Sequence, residues 1–286
     1  MQFDTNELVA AMRRALPPGT ADVGLHEPEF LGNEAKYLQD CIDTGWVSYL
    51  GKYVDQFEQT LAQRTGRKHA FAAVNGTAAL HAALVVLGVQ SGDEVILPSV
   101  TFVASANSVV QAGATPHLVD CESQTLGLDI ARLRDHLRAV AEKKQNALIN
   151  RHTGRRIAAI VPVHVFGQPI DHEALDEVAR EFGLPVLTDA TESLGSTWRG
   201  KPAGSYGVLS VLSFNGNKIV TTGGGGAIVT DDDALAKTVR HVCTTAKQPH
   251  KWAFNHDRPA FNYRLPNLNA AVGCAQMERL DQFIAE

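Results

Sequence analysis

One lysine, Lys218, stands where an amine could do chemistry. It follows the apolar run 208–214 (VLSVLSF) and precedes a glycine corner at 223–226 and a second apolar run at 227–229. Both runs read as buried strands, so the amine between them costs desolvation free energy unless its charge is neutralised. Condensation with a carbonyl cofactor neutralises the amine and makes it chemically useful. The glycines then read as backbone brought close to something flat. On these residues alone, a solvated loop lysine ahead of an ordinary glycine turn stays open as the commoner meaning of the pattern. A Walker-type phosphate loop is excluded, because it needs glycines before the lysine and Ser or Thr after it, and Ile219 follows here. The glycine order does not fit the dinucleotide fingerprint either.

Three further groups could serve such a lysine. In TDATESLGS, Asp189 and Glu192 follow an apolar run. A capping aspartate is the plain reading, but a carboxylate there could also partner a cofactor's cationic nitrogen. Asn75-Gly76-Thr77 forms a tight turn between an apolar run and a helical stretch. First-turn N–H groups, the helix dipole and the Thr77 hydroxyl would make this an anion site, with ordinary capping as the alternative. Phe102 begins another helix just after a strand, at the sheet edge where open α/β folds bind ligands.

The chain that must position these groups has 286 residues, 44% hydrophobic and 20% charged, with a formal net charge of -5. Such a composition suits a soluble globular protein with a large core. It carries no run of like charges, so nucleic acid is not expected as a partner. No segment has the pattern of a secretion signal or a membrane span, and none of its 4 cysteines is paired as CxxC. Reduced thiols in a cytoplasmic protein, buried as small apolar side chains, are the expectation, without structural zinc.

Strand, loop and helix recur along the sequence. Stretches 8–16, 34–44, 53–64, 78–87, 101–112, 129–143, 173–182 and 233–242 read as helices, as does the chain from about 268 onward. Runs 69–74, 94–97, 117–119, 158–163 and 185–187 read as strands, in addition to the two flanking Lys218. Pro17-Pro18 stops the first helix, and Asp171 can cap the one at 173–182. This alternation predicts an α/β fold, a mostly parallel sheet with helices on both faces. In the loop GWVSYLGK, Trp46, Ser48 and Tyr49 could face a ligand, although core packing is the stronger reading for Trp46.

Taken together, SFNGNK with TTGGGG, DATESLGS, NGTAALH and FNYR resemble the DegT/DnrJ/EryC1/StrS family of sugar aminotransferases. The likeness runs from Gly32 to the end of the chain. It implies a fold-type I large domain and pyridoxal 5′-phosphate as cofactor. It implies that Lys218 binds the cofactor covalently and Asp189 pairs with its ring nitrogen. Phe102 would stack on the ring, and Gly76, Thr77 and Ser213 would hold the phosphate. Glu192 falls where the family often has Gln or His near the phenolic oxygen. Asn262 and Arg264 match the segment that reaches a neighbouring subunit's site, implying a homodimer with shared sites.

GWVSYLGKYVDQFE, NGTAALHAAL and SFNGNKIVTTGGGG look most like the branch that aminates C4 of nucleotide-linked 4-keto-6-deoxy sugars. A UDP-linked N-acetylated hexose as acceptor and glutamate as amino donor, in cell-surface glycan synthesis, are what this implies. Residues 1–30 are then an N-terminal segment, 31–245 the cofactor-binding domain, and 246–286 an inter-domain segment opening into a C-terminal domain that is missing. Two alternatives go with the resemblance. Dehydratases of the family carry histidine at the lysine position, which Lys218 speaks against, whereas a noncatalytic cofactor-binding fragment or regulator is compatible with all these motifs.

Overall fold

A computed structural model describes residues 4–16, 19, 24 and 27–286. In chain order it has helices α1 (Thr5–Ala15), α2 (Glu34–Thr44) and α3 (Lys52–Thr65), then β1 (His69–Ala73), α4 (Gly76–Val86), β2 (Glu94–Pro98), α5 (Val103–Gln111) and β3 (Thr115–Val119). There follow α6 (Ile130–Val140), β4 (Ala141–Lys144), β5 (Ala147–Asn150), β6 (Arg156–Ile160), α7 (His172–Phe182) and β7 (Leu187–Asp189). The last part holds the short hairpin β8 (Thr197–Trp198) and β9 (Lys201–Pro202), β10 (Leu209–Ser213), β11 (Gly226–Thr230), α8 (Asp233–Cys243), α9 (Asn267–Met277) and α10 (Leu280–Ala285). Pro17 and Pro18, expected to stop the first helix, lie outside the described residues.

One sheet runs β1-β11-β10-β7, another β3-β2-β6-β5-β4, and parallel bridges from Ile160 to Val186 and from Val163 to Asp189 join them. From β7 through β6 and β2 to β3 the pairing is parallel, as it is between β7 and β10. β11 runs against both its neighbours, which sets β1 parallel to β10. The carboxyl ends of β1, β2, β6, β7 and β10 therefore meet on one edge, where open α/β sheets bind their ligands.

Side-chain alternation along the strands divides the core between two faces. Phe71, Ala73, Val211 and Ile228 pack against α4, α5 and α8. Ala70, Ala72, Leu212 and Ala227 pack on the other face against α2, α3 and α9, and α6 and α7 continue that layer over β6. The expected α/β architecture, mostly parallel with helices on both faces, is what forms.

Two local expectations give way. The helix expected over 129–143 ends at Val140, because residues 141–144 pair antiparallel with 147–150 as a hairpin. Helix propensity of a few tenths of a kcal/mol per residue is easily overridden by such pairing. Trp46 is 56% exposed and not part of the core. Its loop is held through the backbone, with Asn267 Nδ2 donating to the Trp46 carbonyl at 2.7 Å, which leaves the indole outside.

Candidate active site

The segment carrying Lys218 is fixed from beneath. Phe214, fully buried, meets Phe57 of α3 edge-on with ring centroids 5.0 Å apart. Burying one such ring contributes about 1.5–3 kcal/mol, enough to hold the turn that follows. That turn is closed by Lys218 N–H on the Asn215 carbonyl (3.1 Å) and Thr222 N–H on the Phe214 carbonyl (3.0 Å). Lys218 emerges from it into a cavity of about 520 Å³ lined also by Gly76, Thr77, Phe102, Asp189, Glu192 and Ser213. Its side chain is 14% exposed, and Nζ donates to Glu192 Oε1 at 2.8 Å.

Asp189 is the last residue of β7, two residues beyond the end of the strand expected over 185–187. It is buried, with Oδ2 accepting from the Ser105 hydroxyl at 2.7 Å and Oδ1 from Thr191 N–H at 3.2 Å. Burial pushes its carboxyl above the usual carboxylate range, against the pull of those hydrogen bonds and of Lys218. A buried carboxylate in that state favours a cation beside it.

The amino end of α4 opens into the same cavity. Asn75 caps it, taking Ala78 N–H at 2.8 Å, while Gly76 and Thr77, as first-turn residues, have no acceptor within the helix. Ser213, at the end of β10, lies against this turn: a Cβ on Gly76 would come within 3.1 Å of Ser213 Cβ. Phe102 caps α5 and is 72% exposed on the cavity rim.

The glycine corner 223–226 does not line the cavity. Its close approach is to the chain itself: a Cβ on Gly226 would sit 2.5 Å from the Asn75 carbonyl carbon and 2.7 Å from Gly76 N. The expectation of a flat ligand over these glycines is corrected accordingly, since β11 must pass directly beneath the α4 turn. Gly226→Ala is expected to destabilise the protein by about 1–3 kcal/mol through overpacking against backbone that cannot yield. Urea unfolding would measure it, and unchanged stability would show that the turn shifts freely.

Asn262 and Arg264 do not reach this cavity. Arg264 donates to Asn262 Oδ1 from Nε (3.0 Å) and Nη2 (2.9 Å), and its guanidinium lies 3.2 Å from the Tyr49 ring centroid. The pair thus joins the exposed GWVSYLGK loop.

Several site residues escaped the sequence reading. Phe166, 79% exposed, lines the cavity with a left-handed backbone (φ 52), and its N–H donates to Glu192 Oε2 at 3.1 Å. Ser105 holds Asp189, and its place three residues into α5 gives no sign of that in sequence. Behind the Asp189 loop, His164 Nδ1 lies 2.8 Å from Ser193 Oγ and its Nε2 2.8 Å from His172 Nε2. Burial pushes both histidines down to about 3, so the rings are neutral, one donating and the other accepting. His164, recognisable in sequence only as the end of a strand, braces the loop from Ala190 to Ser193.

Among the described residues no helix is long and apolar enough to cross a membrane, and no group of His, Cys, Asp and Glu could hold a metal ion. All four cysteines are free thiols, with Cys41, Cys243 and Cys274 buried.

A profile described as the DegT/DnrJ/EryC1/StrS aminotransferase family matches residues 29–286. Over 263 residues the chain is 44% identical to GDP-perosamine synthase of Caulobacter vibrioides, covering 92% of this chain and 66% of that protein. Its structure is similar to that of an aminotransferase from Psychrobacter cryohalolentis (TM-score 0.79, 31% identity, 90% of this chain and 64% of the other). DesI, solved in the presence of its TDP-sugar product, is similar to the same degree (TM-score 0.79, 29% identity, 92% of this chain and 62% of the other). The chain spans about two thirds of the length of the curated relatives it matches.

Proposed function

This chain belongs to the DegT/DnrJ/EryC1/StrS aminotransferase family, and from that membership and the cavity's geometry we propose that it forms the cofactor-binding part of a nucleotide-sugar aminotransferase. The observation that carries the proposal is one cavity lined by a near-buried lysine, a buried carboxylate and the free end of a helix. Pyridoxal 5′-phosphate is the cofactor of this family, and the residues present fit it. Asp189 suits a cationic ring nitrogen, the α4 turn with Thr77 and Ser213 suits a phosphate, and Phe102 offers an aromatic face.

When bound, the cofactor supplies a carbonyl that condenses with amines and a ring that takes up the electron pair left by a departing proton. Lys218 would hold it covalently, and its amine, when free, would be the group that takes up and returns a proton at the donor's α-carbon. Asp189 would hold the ring nitrogen, its carboxylate favouring the protonated form. Gly76, Thr77 and Ser213 anchor the phosphate so that the reacting atoms stay near Lys218, and Glu192 borders the lysine.

The acceptor we propose is a nucleotide-linked 4-keto-6-deoxy sugar destined for cell-surface glycan, with glutamate as amino donor. The motifs support a UDP-linked N-acetylated hexose, while the relative named GDP-perosamine synthase supports a GDP-linked acceptor. Purified full-length protein should develop a visible absorbance with pyridoxal 5′-phosphate, lose it on adding glutamate with release of keto acid, and regain it with the accepted nucleotide-sugar. Assaying UDP- and GDP-linked acceptors side by side separates the two. An absorbance indifferent to every amino donor would leave a cofactor binder without turnover.

We also propose a homodimer whose sites are completed across the two-fold axis, with Asn262 and Arg264 serving the partner's phosphate site. In support, both lie outside this protomer's cavity, on an exposed surface with Trp46, Tyr49 and Leu50. A buried dianion gains from a guanidinium or amide beyond one helix terminus. Mixing full-length Lys218→Ala with Asn262→Ala/Arg264→Ala under subunit exchange should restore activity, since one site of each mixed dimer regains all its groups. Exchange without recovery would make Arg264 an ordinary surface cation, worth about 0–1 kcal/mol.

A further inference from the structure

A carboxylate lies on the reactive amine, and the fold goes out of its way to keep it there. Glu192 Oε1 accepts from Lys218 Nζ at 2.8 Å, while Oε2 accepts Phe166 N–H at 3.1 Å. Phe166 reaches that position only in the left-handed region (φ 52, ψ 30), which a side chain with a Cβ rarely adopts. Backbone strain of this kind persists where the surroundings over-determine it, and it is characteristic of functional sites. Glu192 is also set at a boundary. With Lys218, Phe166 and Asn217 it lines both the 520 Å³ cavity and a second one of about 490 Å³. Its side chain is 37% exposed, so a proton placed on it has a way to solvent.

An ammonium group has no lone pair with which to attack a carbonyl carbon, and a carboxylate in hydrogen-bond contact is placed to take its proton. We infer that Glu192 is the proton acceptor and donor for Lys218 when that amine captures its carbonyl cofactor. The inference rests on the proposed reading of the cavity as a pyridoxal 5′-phosphate site, and assigns a catalytic role to a side chain until now only a neighbour of the cofactor. In the first step a proton passes from Lys218 Nζ to Glu192 Oε1, leaving a neutral amine and a neutral carboxylic acid. The amine's lone pair then forms a bond to the carbonyl carbon, and a proton on the nitrogen moves to the former carbonyl oxygen. That oxygen leaves as water with the proton returned by Glu192, and a carbon–nitrogen double bond remains. The sum is one ammonium and one aldehyde giving one protonated imine and one water, with Glu192 regenerated as a carboxylate. A glutamine at this position has a single acceptor oxygen, so it would keep one of the two contacts and fill the same space, but could neither take nor return the proton.

The test follows capture of free pyridoxal 5′-phosphate by the full-length apoprotein at one fixed near-neutral pH. Stopped-flow visible absorbance gives the rate, and borohydride reduction with peptide mass spectrometry shows the bond on Lys218. E192Q is expected to load about 100-fold more slowly than wild type, within the range typical of a lost proton-transfer group. E192A should be slow as well, and added formate should restore its rate in proportion to concentration, because formate fits the space left and carries the proton. A purely electrostatic hold of Glu192 on Lys218 gives the opposite sign. E192Q loading as fast as wild type or faster would therefore overturn the inference, as would a slow E192A that ignores formate. If wild type forms no adduct on Lys218, the reading of the cavity fails and this inference with it. If wild type forms the adduct and the variants do not slow, only the role of Glu192 is lost.

Discussion

Lys218→Ala in the full-length protein is expected to abolish the visible absorbance of bound cofactor and to cut transamination by at least about 10²–10⁴-fold, the contribution of a positioned proton-transfer group alone. Loss of the covalent link adds to that figure. The substitution leaves the supporting structure in place, since the turn is held by backbone bonds from Lys218 N–H to Asn215 and from Thr222 N–H to Phe214, and by Phe214 against Phe57. Thermal unfolding of the apoprotein should therefore change little. The turn at Gly76 and Thr77 proposed to hold the phosphate is untouched, so the variant should still bind the cofactor, now without a borohydride-reducible bond. An unchanged spectrum with retained turnover would remove Lys218 from its assigned place.

Asp189→Asn is expected to slow the reaction by about 10²–10³-fold, the size of effect seen when one preorganised charge-stabilising group is removed. An amide carries no charge to keep the ring nitrogen protonated, so the proton on the donor's α-carbon becomes harder to remove. Stability should move the other way. The folded carboxyl lies above its ordinary value because burial disfavours the charge. The folded apoprotein thus holds this proton more tightly than the unfolded chain does, and the unfavourable charge sets in as pH rises past the usual carboxylate range. At neutral pH the asparagine variant should then be as stable as wild type without cofactor, or more so. Denaturant unfolding of the apoprotein beside single-turnover kinetics reads both effects. A variant that turns over at the parental rate but unfolds more easily would make Asp189 a structural residue only.

The amino-acid sequence carried the layers, the strand edge and most of the candidate site. Apolar runs of strand length alternating with helical stretches are local patterns, readable without knowing the chain's path. So were the capping groups: Asn75 and Asp171 take the N–H groups of Ala78 and Ala174, as small polar residues ahead of a helix should. Lys218, Asp189, Glu192, Gly76, Thr77, Phe102 and Ser213 each follow or begin an element that ends on the same edge. A parallel sheet then brings them to one cavity almost by construction.

What only the tertiary structure decided depends on contacts between residues far apart in sequence. The corner at 223–226 looks like a ligand platform because glycine signals close approach without saying to what. The packed chain shows that Gly226 approaches the Asn75–Gly76 peptide. Trp46 looks like core by residue type, but Asn267, more than two hundred positions away, ties its carbonyl and leaves the ring outside. Ser105 and His164 carry no local sign of function, since each matters through a partner on another element, Asp189 and Ser193. The left-handed turn at Phe166 is strained, and local preference speaks against it. Periodicity and capping are free energies of neighbouring residues, so the sequence by itself determined the elements and the edge where they end. Which buried polar groups pair, and which face the cavity, depends on burial and distance, and these exist only once the sheet has closed.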